Sequence, residues 1–295
     1  MSSGEPHPPR YDPDYVRRHY DEFGQREWAR FEVVPGNRLA PGNQVNLHLH
    51  LWHLRRQVRS GDHVLDIGAG PGRFTIELAR LGARVTVGDI SPTQLELNRR
   101  KVQEAGYEAA VIDRVLIDVV DLSAFATNSF DAVVCYGGAL SYTFDRADQA
   151  MGELLRVTRP GGRVLLSVMS LLGTSRRFLG ALLELARRHG AGVVDALFAS
   201  HDQIGVIAEG HRFRYYTWAS LQALLARHPC TIIDASAANF LAIGNNEQLL
   251  EPLLHDPHSD VWDAYLAWEV ECCRQPGAID AGTHMIAVVQ KRPPL

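Results

Sequence analysis

Residues 64 to 72 read Val64-Leu65-Asp66-Ile67-Gly68-Ala69-Gly70-Pro71-Gly72. Two apolar residues lead into an acid, and glycine then falls at every second position. This is the pattern of a buried strand that ends in a tight turn and opens a helix. Glycines in such a turn let a ligand lie against bare backbone where a Cβ would clash. A dinucleotide-binding turn spaces its glycines G-x-G-x-x-G and sets a helix N-terminus against a pyrophosphate. Here the spacing is G-x-G-x-G, at Gly68, Gly70 and Gly72, and Asp66 lies inside the strand end. An acid there repels a pyrophosphate and suits a ligand that carries an ammonium or sulfonium group.

Working outward, Arg73 to Leu81 reads as a short amphipathic helix with Phe74, Leu78 and Leu81 on one side and Gly82 as its stop. Arg84-Val85-Thr86-Val87-Gly88-Asp89 reads as a second strand ending in an acid. A carboxylate at that tip can accept both hydroxyls of a ribose. Ser91-Pro92-Thr93-Gln94 then opens a helix that runs to about Ala105. Ser91 is the cap, Pro92 suits the first turn, and Gln94 is expected to complete a capping box. Val111 to Ile117 reads as a third strand, Ser129 to Cys135 as a fourth, and Asp145 to Thr158 as a helix. Arg159-Pro160-Gly161-Gly162 turns into a fifth strand that reaches Val168.

These landmarks, in this order over residues 62 to 169, resemble class I S-adenosylmethionine (SAM) dependent methyltransferases. The glycine turn is similar to that family's first motif. The resemblance implies an α/β fold, a Rossmann-like seven-stranded and mostly parallel sheet of order 3-2-1-4-5-7-6 with an antiparallel last strand, carrying helical lid and cap additions. It implies SAM as cofactor, with S-adenosylhomocysteine as product and no metal. By the same resemblance Asp118 accepts the adenine amino group. Gly137-Gly138 stands where the family contacts methionine or substrate, flanked by Tyr136 and Tyr142. The cofactor site is therefore expected to comprise Asp66, Gly68, Gly70, Gly72, Asp89, Ile90, Asp118, Val119, Tyr136 and Tyr20.

The remaining segments divide the chain into 1–45, a tail and lid helix; 46–169, the cofactor core; 170–216, a substrate cap; and 217–295, the rest of the core with a helical insertion at 240–281. Residues 1 to 10 are rich in Pro, Ser and Gly and are expected to lack fixed structure. Tyr11 to about Phe31 reads as one helix, followed by breaks at Pro35-Gly36-Asn37 and Pro41-Gly42-Asn43, with a further helix over 44–59. In the family such an N-terminal helix folds over the cofactor, which makes Tyr11, Tyr15 and Tyr20 lid candidates. In the cap, a helix is expected over Ser175 to His189 and a further turn over Val193 to Ser200. A sixth strand over Thr231 to Ala237 and a seventh over Thr283 to Gln290 complete the sheet. The insertion between them carries helices near Glu247 to Leu254 and Asp260 to Arg274, with Trp262, Tyr265 and Trp268 in the second.

A neutral histidine suits a general base near pH 7. His211 and His201 lie in the cap and are the leading catalytic candidates, with Tyr142 beside them. His48, His50 and His53 form a group before the core. His50 and His53 share a helical face at i,i+3, a spacing open to metal coordination, but no third ligand is evident and no metal site is expected. The four cysteines, Cys135, Cys230, Cys272 and Cys273, have neither disulfide nor zinc spacing.

The chain has 295 residues, 46% hydrophobic and 22% charged, with a formal net charge of -4. That balance argues against a broad nucleic-acid footprint. Neither a secretory segment nor an apolar run of membrane-spanning length is evident, so a cytoplasmic protein is expected, without membrane or nucleic-acid partners, as a monomer or homodimer. The reading is a methyltransferase acting on an O, N or C atom of a partly hydrophobic small molecule, possibly one of secondary metabolism. The alternatives are an RNA or protein methyltransferase and a non-catalytic SAM-binding protein. A dehydrogenase is disfavoured by the glycine spacing.

Overall fold

A computed structural model describes residues 10–24, 26–29, 31–32, 40–204, 211–244, 246–254 and 260–293. The expectations for residues 1–9 and for Pro35-Gly36-Asn37 lie outside these. Among the described residues three helices precede the sheet: α1 (Pro13–Phe23), α2 (Arg26–Ala29) and α3 (Ala40–Gln57). The core then alternates strands and helices: β1 (His63–Ile67), α4 (Arg73–Arg80), β2 (Arg84–Asp89), α5 (Pro92–Glu104) and β3 (Val111–Leu116). It continues through β4 (Phe130–Cys135), α6 (Ala147–Val157) and β5 (Thr158–Met169). The cap contributes α7 (Leu171–Arg177), α8 (Leu179–His189), α9 (Gly192–Ser200) and the hairpin β6 (Asp202–Ile204) and β7 (Arg212–Arg214). The chain finishes with α10 (Trp218–Leu225), β8 (Cys230–Ala237), α11 (Asn246–Leu254), α12 (Asp260–Cys273) and β9 (His284–Lys291).

The seven-stranded sheet has the order β3-β2-β1-β4-β5-β9-β8. β1 to β5 pair in parallel, and β9 runs antiparallel to both β5 and β8. With β8 and β9 as the sixth and seventh core strands, this is the order expected from the sequence. Strand periodicity splits the apolar residues between two faces. Leu65, Val133 and Leu166 pack with Met151, Leu154 and Leu221 on one face. Val64, Val134 and Leu165 pack with Leu49, Leu54 and Leu78 on the other. A third, smaller cluster joins Val16 and Tyr142 to Leu182, Leu197 and Phe213, and so ties the N-terminal helix to the cap. The loop before β5 behaves as its Pro-Gly-Gly sequence suggests. Phe130 pairs with Thr158 and Ala132 with Arg163, so residues 159–162 bulge out of the ladder.

Several local expectations are corrected. The helix read over 11–31 is two helices, because Gly24 takes a φ of 40° and its N–H closes the last turn on the Tyr20 carbonyl. Pro41-Gly42-Asn43 does not break the chain. It lies in the first turns of α3, where the N–H that proline lacks has no intrahelical partner to lose. The helix read over 175–189 is also two, divided at Phe178. The hairpin β6–β7 is not apparent from sequence. The ends of the cap meet: the Tyr216 N–H donates to Met169 O and the Leu171 N–H donates to Tyr216 O, which closes the insertion at 170–216.

Candidate functional site

β1 delivers the glycine turn to the carboxyl end of the sheet, and β2 delivers Asp89 beside it. The Gly70 N–H donates to Asp89 Oδ2 at 2.9 Å, and the Ser91 N–H donates to Oδ1 at 2.9 Å. The carboxylate is thus held by the turn itself. Burial pushes Asp89 up to about 6, amide donors from Ser91, Gly70 and Ile90 pull it back, and the charge of Asp21 adds to the rise. Gly68, Gly70 and Gly72 all have positive φ, at 67°, 54° and 93°. A Cβ on Gly68 would lie 2.8 Å from that of Ala139, and one on Gly72 would crowd Asn98 and Val102. Two of the three glycines are therefore required by the protein's own packing as well as by backbone conformation.

Gly68, Gly70, Asp89, Ile90, Asp118, Val119, Tyr136, Tyr20 and Tyr142 line one cavity. Asp66 and Gly72, expected there, do not. Asp66 lies beneath the turn, where it accepts from the Thr75 hydroxyl at 2.6 Å, and Thr75 in turn accepts from Asn98 at 2.9 Å. Burial, opposed by the Thr75 hydrogen bond and reinforced by Asp89, pushes Asp66 up to about 7. The acid that the sequence offers to a cationic ligand serves to hold β1 to α4. Gly72 is the residue before α4 and gives that helix room against α5.

The N-terminal helices cover this cavity. Asp12 caps α1, accepting from the Tyr15 N–H at 3.0 Å. Asp21 accepts from the Ser91 hydroxyl at 2.5 Å, while Ser91 Oγ accepts from the Gln94 N–H. The expected capping box is only half formed. The Gln94 side chain donates to the Tyr20 carbonyl at 3.0 Å, so it tethers α1 to α5 rather than closing on Ser91. The Tyr15 hydroxyl accepts from the Arg212 N–H at 2.8 Å and reaches the cap hairpin. Tyr11, the most N-terminal of the three lid candidates, donates to Asp118.

A second cavity, about 450 Å³, adjoins the first between the lid and the cap. Its wall is mainly apolar, with Phe23, Phe31, Met169, Phe178, Leu182 and Phe213. Arg177 also lines that wall, paired with Glu247 at 2.7 Å with both side chains buried. Tyr20, Asn46, Gly137, Tyr142 and His284 border both cavities. His211 lies in the second, with its Nε2 2.7 Å from the Tyr142 hydroxyl and its ring stacked on His19 at 4.3 Å. His201 lines neither cavity. It ends α9 with a φ of 61°, and its carbonyl accepts from the Tyr215 N–H at 2.7 Å, so its backbone turns the chain into the hairpin.

Asn46 and His284 were missed by sequence reasoning: a polar residue in a helix and the first residue of a strand carry no local signal. His50 and His53 share a helical face by spacing but not by environment. His53 Nε2 meets Ser236 Oγ at 2.8 Å beneath β8, whereas His50 borders the first cavity. Among the described residues no group of three His, Cys, Asp or Glu could hold a metal ion. The insertion at 240–281 packs on α3 through α11 and α12, and none of its described residues lines either cavity. Its Trp262, Tyr265 and Leu266 are packing residues, while Trp268 is exposed.

Residues 65–166 match a family model described as a methyltransferase domain. Among curated proteins the chain is similar to methyltransferase GfsG of Streptomyces halstedii, 37% identical over 133 residues, which are 44% of this chain and 46% of that protein. It is 36% identical over 156 residues to the ubiquinone biosynthesis O-methyltransferase of Xanthomonas oryzae pv. oryzae, covering 50% of this chain and 62% of that one. The chain spans about half the length of the curated relatives it matches. Among solved structures, the [4+2]-cyclase SpnF superposes with a TM-score of 0.59 at 18% identity, over 97% of this chain and 99% of that one. The 1,6-didemethyltoxoflavin-N1-methyltransferase of Burkholderia thailandensis, solved with 1,6-didemethyltoxoflavin and S-adenosylhomocysteine, superposes with a TM-score of 0.54 at 17% identity, over 99% and 94%. At these identities the structural likeness is one of fold.

Proposed function

We propose that this chain, whose core is a Rossmann-like methyltransferase domain, moves a methyl group from SAM to an oxygen, nitrogen or carbon atom of a partly hydrophobic small molecule. The observation that carries the reading is the shared border of two cavities. One is walled by the glycine turn with Asp89 and Asp118, the other mainly by apolar side chains of lid and cap, and Glu27 borders both.

The first cavity suits the cofactor in chemistry as well as position. Asp89 would accept the ribose hydroxyls, as a carboxylate at the second strand tip does in related folds. Asp118 has room for a further donor such as the adenine amino group, since a carboxylate offers about four lone-pair sites and two of its partners are Tyr11 and the Val120 N–H. When bound, the cofactor supplies a methyl group on a sulfonium, already a strong electrophile. The residues of the chain then have three tasks. Tyr20, Asn46 and Gly137 fix where the two ligands meet, and alignment of this kind contributes about 7–11 kcal/mol in favourable cases. The lid excludes water. His211, with Tyr142 on its Nε2, takes the proton from an acceptor that has one to lose. The mainly apolar wall, with Arg177 as the one arginine among its described residues, fits a small amphipathic molecule better than a polymer.

The test is calorimetry of the intact chain with SAM and S-adenosylhomocysteine. Binding of both at micromolar concentration is expected, and binding of neither below 1 mM overturns the proposal. A second reading keeps the cofactor without methyl transfer, since a protein described as a cyclase shares the fold along nearly its whole length. Formation of S-adenosylhomocysteine in the presence of candidate acceptors separates the two. A salt-dependent gel shift with tRNA would favour a nucleic-acid substrate, which the net charge of -4 opposes.

A further inference from the structure

The lid helix α1 carries a row of rings. Tyr15, His19 and Phe23 are spaced four residues apart, so they share one face of the helix. The His19 ring lies 6.0 Å from Tyr15 and 5.7 Å from Phe23, at interplanar angles of 20° and 18°. The cap meets this row with two consecutive residues. The Arg212 N–H donates to the Tyr15 hydroxyl at 2.8 Å, and the His211 ring stacks on His19 at 4.3 Å and 17°. His19, Phe23 and His211 all line the second cavity.

His211 stands one residue before β7, beyond the last pair of the hairpin ladder, Ile204 with Arg212. Among the described residues no ladder pair fixes it, and its ring is met by side chains. Tyr142 places its hydroxyl 2.7 Å from Nε2, Phe213 lies edge-on at 4.8 Å, and His19 covers a face. Burial holds His19 below the ordinary imidazole range, opposed by the charges of Glu22 and Glu27, so this ring is neutral near pH 7. A neutral ring can lie against a charged one, whereas two charged rings at this distance would repel. Facing the pair are the carboxylates of Glu22 and Glu27, the phenols of Tyr15, Tyr20 and Tyr142, and Arg212 in β7.

We propose that His19 is a positioning residue for His211: the lid ring fixes the plane of the cap ring and keeps the Nε2 lone pair on the Tyr142 hydroxyl. Tyr142 borders both cavities and His211 only the second, so the phenol stands between the acceptor and the base. As the acceptor's lone pair forms its bond to the methyl carbon, sulfur keeps the electron pair of the bond that breaks. The acceptor's proton passes to the Tyr142 oxygen, and the phenol proton passes to His211 Nε2. This order requires His211 to begin with its proton on Nδ1. The assignment rests on the reading of His211 as the base, and the experiment separates the two failures.

The tautomer of His211 is read by nitrogen-15 NMR of the intact chain at pH 8, its signals identified by their loss in His211→Gln. The unaltered chain is expected to favour the Nδ1–H form by about fivefold or more, which converts to about 1 kcal/mol, the worth of one hydrogen bond. His19→Leu is expected to bring the two forms within about twofold of each other. His19→Phe keeps a flat ring in the row and is expected to preserve the preference. An unchanged ratio in His19→Leu, or an equal loss in His19→Phe, overturns the assignment. If His19→Leu does not fold, His19→Gln, which also lacks a ring, decides by the same ratio. A full rate of methyl transfer in His211→Gln would instead remove the base reading on which the assignment rests.

Discussion

The hydroxyl of Tyr11 lies 2.5 Å from Oδ2 of Asp118, joining residues 107 positions apart. The first residues of the lid are thus fastened to the acid that the proposed function assigns to adenine. Burial and the neighbouring carboxylate raise the Tyr11 pKa, so the phenol stays protonated and donates. The backbone at the same place is held too, since the Tyr11 N–H donates to Asp145 at 2.8 Å.

Tyr11→Phe removes a hydrogen bond to a charged group, worth about 1.5–3 kcal/mol. Amide exchange in Pro13–Phe23 should rise, with exchange in the sheet unchanged. The affinity for S-adenosylhomocysteine should stay within about threefold, because Asp118 remains. Asp118→Ala should change both. Hydrogen-exchange mass spectrometry and calorimetry check the pair, and an unmoved exchange profile in Tyr11→Phe would show that the contact does not hold the lid.

Cofactor affinity should depend on the charge of Asp89. Burial, moderated by its amide donors, places this carboxyl at about 6. Ribose hydroxyls donate, so they favour the ionised form, and proton binding competes with them. Affinity for S-adenosylhomocysteine should be flat above pH 7 and fall about tenfold for each pH unit below 6. Asp89→Ala should weaken binding by about tenfold or more at pH 8 and remove this pH dependence, as read by calorimetry.

His211→Gln should lower the rate of methyl transfer to a hydroxyl acceptor by about 10² to 10⁴. Cofactor binding should be unaffected, since His211 lines only the second cavity. Tyr142→Phe removes the hydroxyl 2.7 Å from His211 Nε2 and should shift the pH–rate profile as well as the rate. Single-turnover rates across pH test both variants. A His211→Gln enzyme of full activity would rule out the base role.

Asp66 gives a stability prediction with a definite sign. Its folded pKa of about 7 exceeds the unfolded value of about 3.9. The folded chain therefore keeps a proton that the unfolded chain releases. The contribution is fully present below about pH 4 and is lost as pH rises through 7. Asp66→Asn keeps an oxygen for the Thr75 hydroxyl and cannot ionise. It should gain on the parent by of order 1–4 kcal/mol at pH 8 and by little at pH 4, read from denaturant midpoints at the two values.

The legible part of the site was the part made by strand ends. Gly68, Gly70, Asp89 and Asp118 could be numbered because each follows a strand whose length the apolar pattern sets. Ser91 was legible as a cap for the same reason. Gln94 was legible only as half a capping box, because its side chain finds the Tyr20 carbonyl 74 residues away. His211 and His201 looked alike in sequence, yet one faces Tyr142 across the cavity and the other spends its backbone on a turn. The two helices of the insertion at 240–281 were legible in sequence, but not that they pack on α3.

By itself the sequence determined the strands, the glycine turn and the acids at the strand tips, because these follow from periodicity and spacing along a local stretch of chain, while the strand order followed from the resemblance to a known family. Only the tertiary structure decided where each polar group is spent. Burial and partners drawn from distant segments take Asp66 out of the cavity, stack His19 on His211, and bring Tyr142 to His211, and none of these contacts has a local cause in the chain.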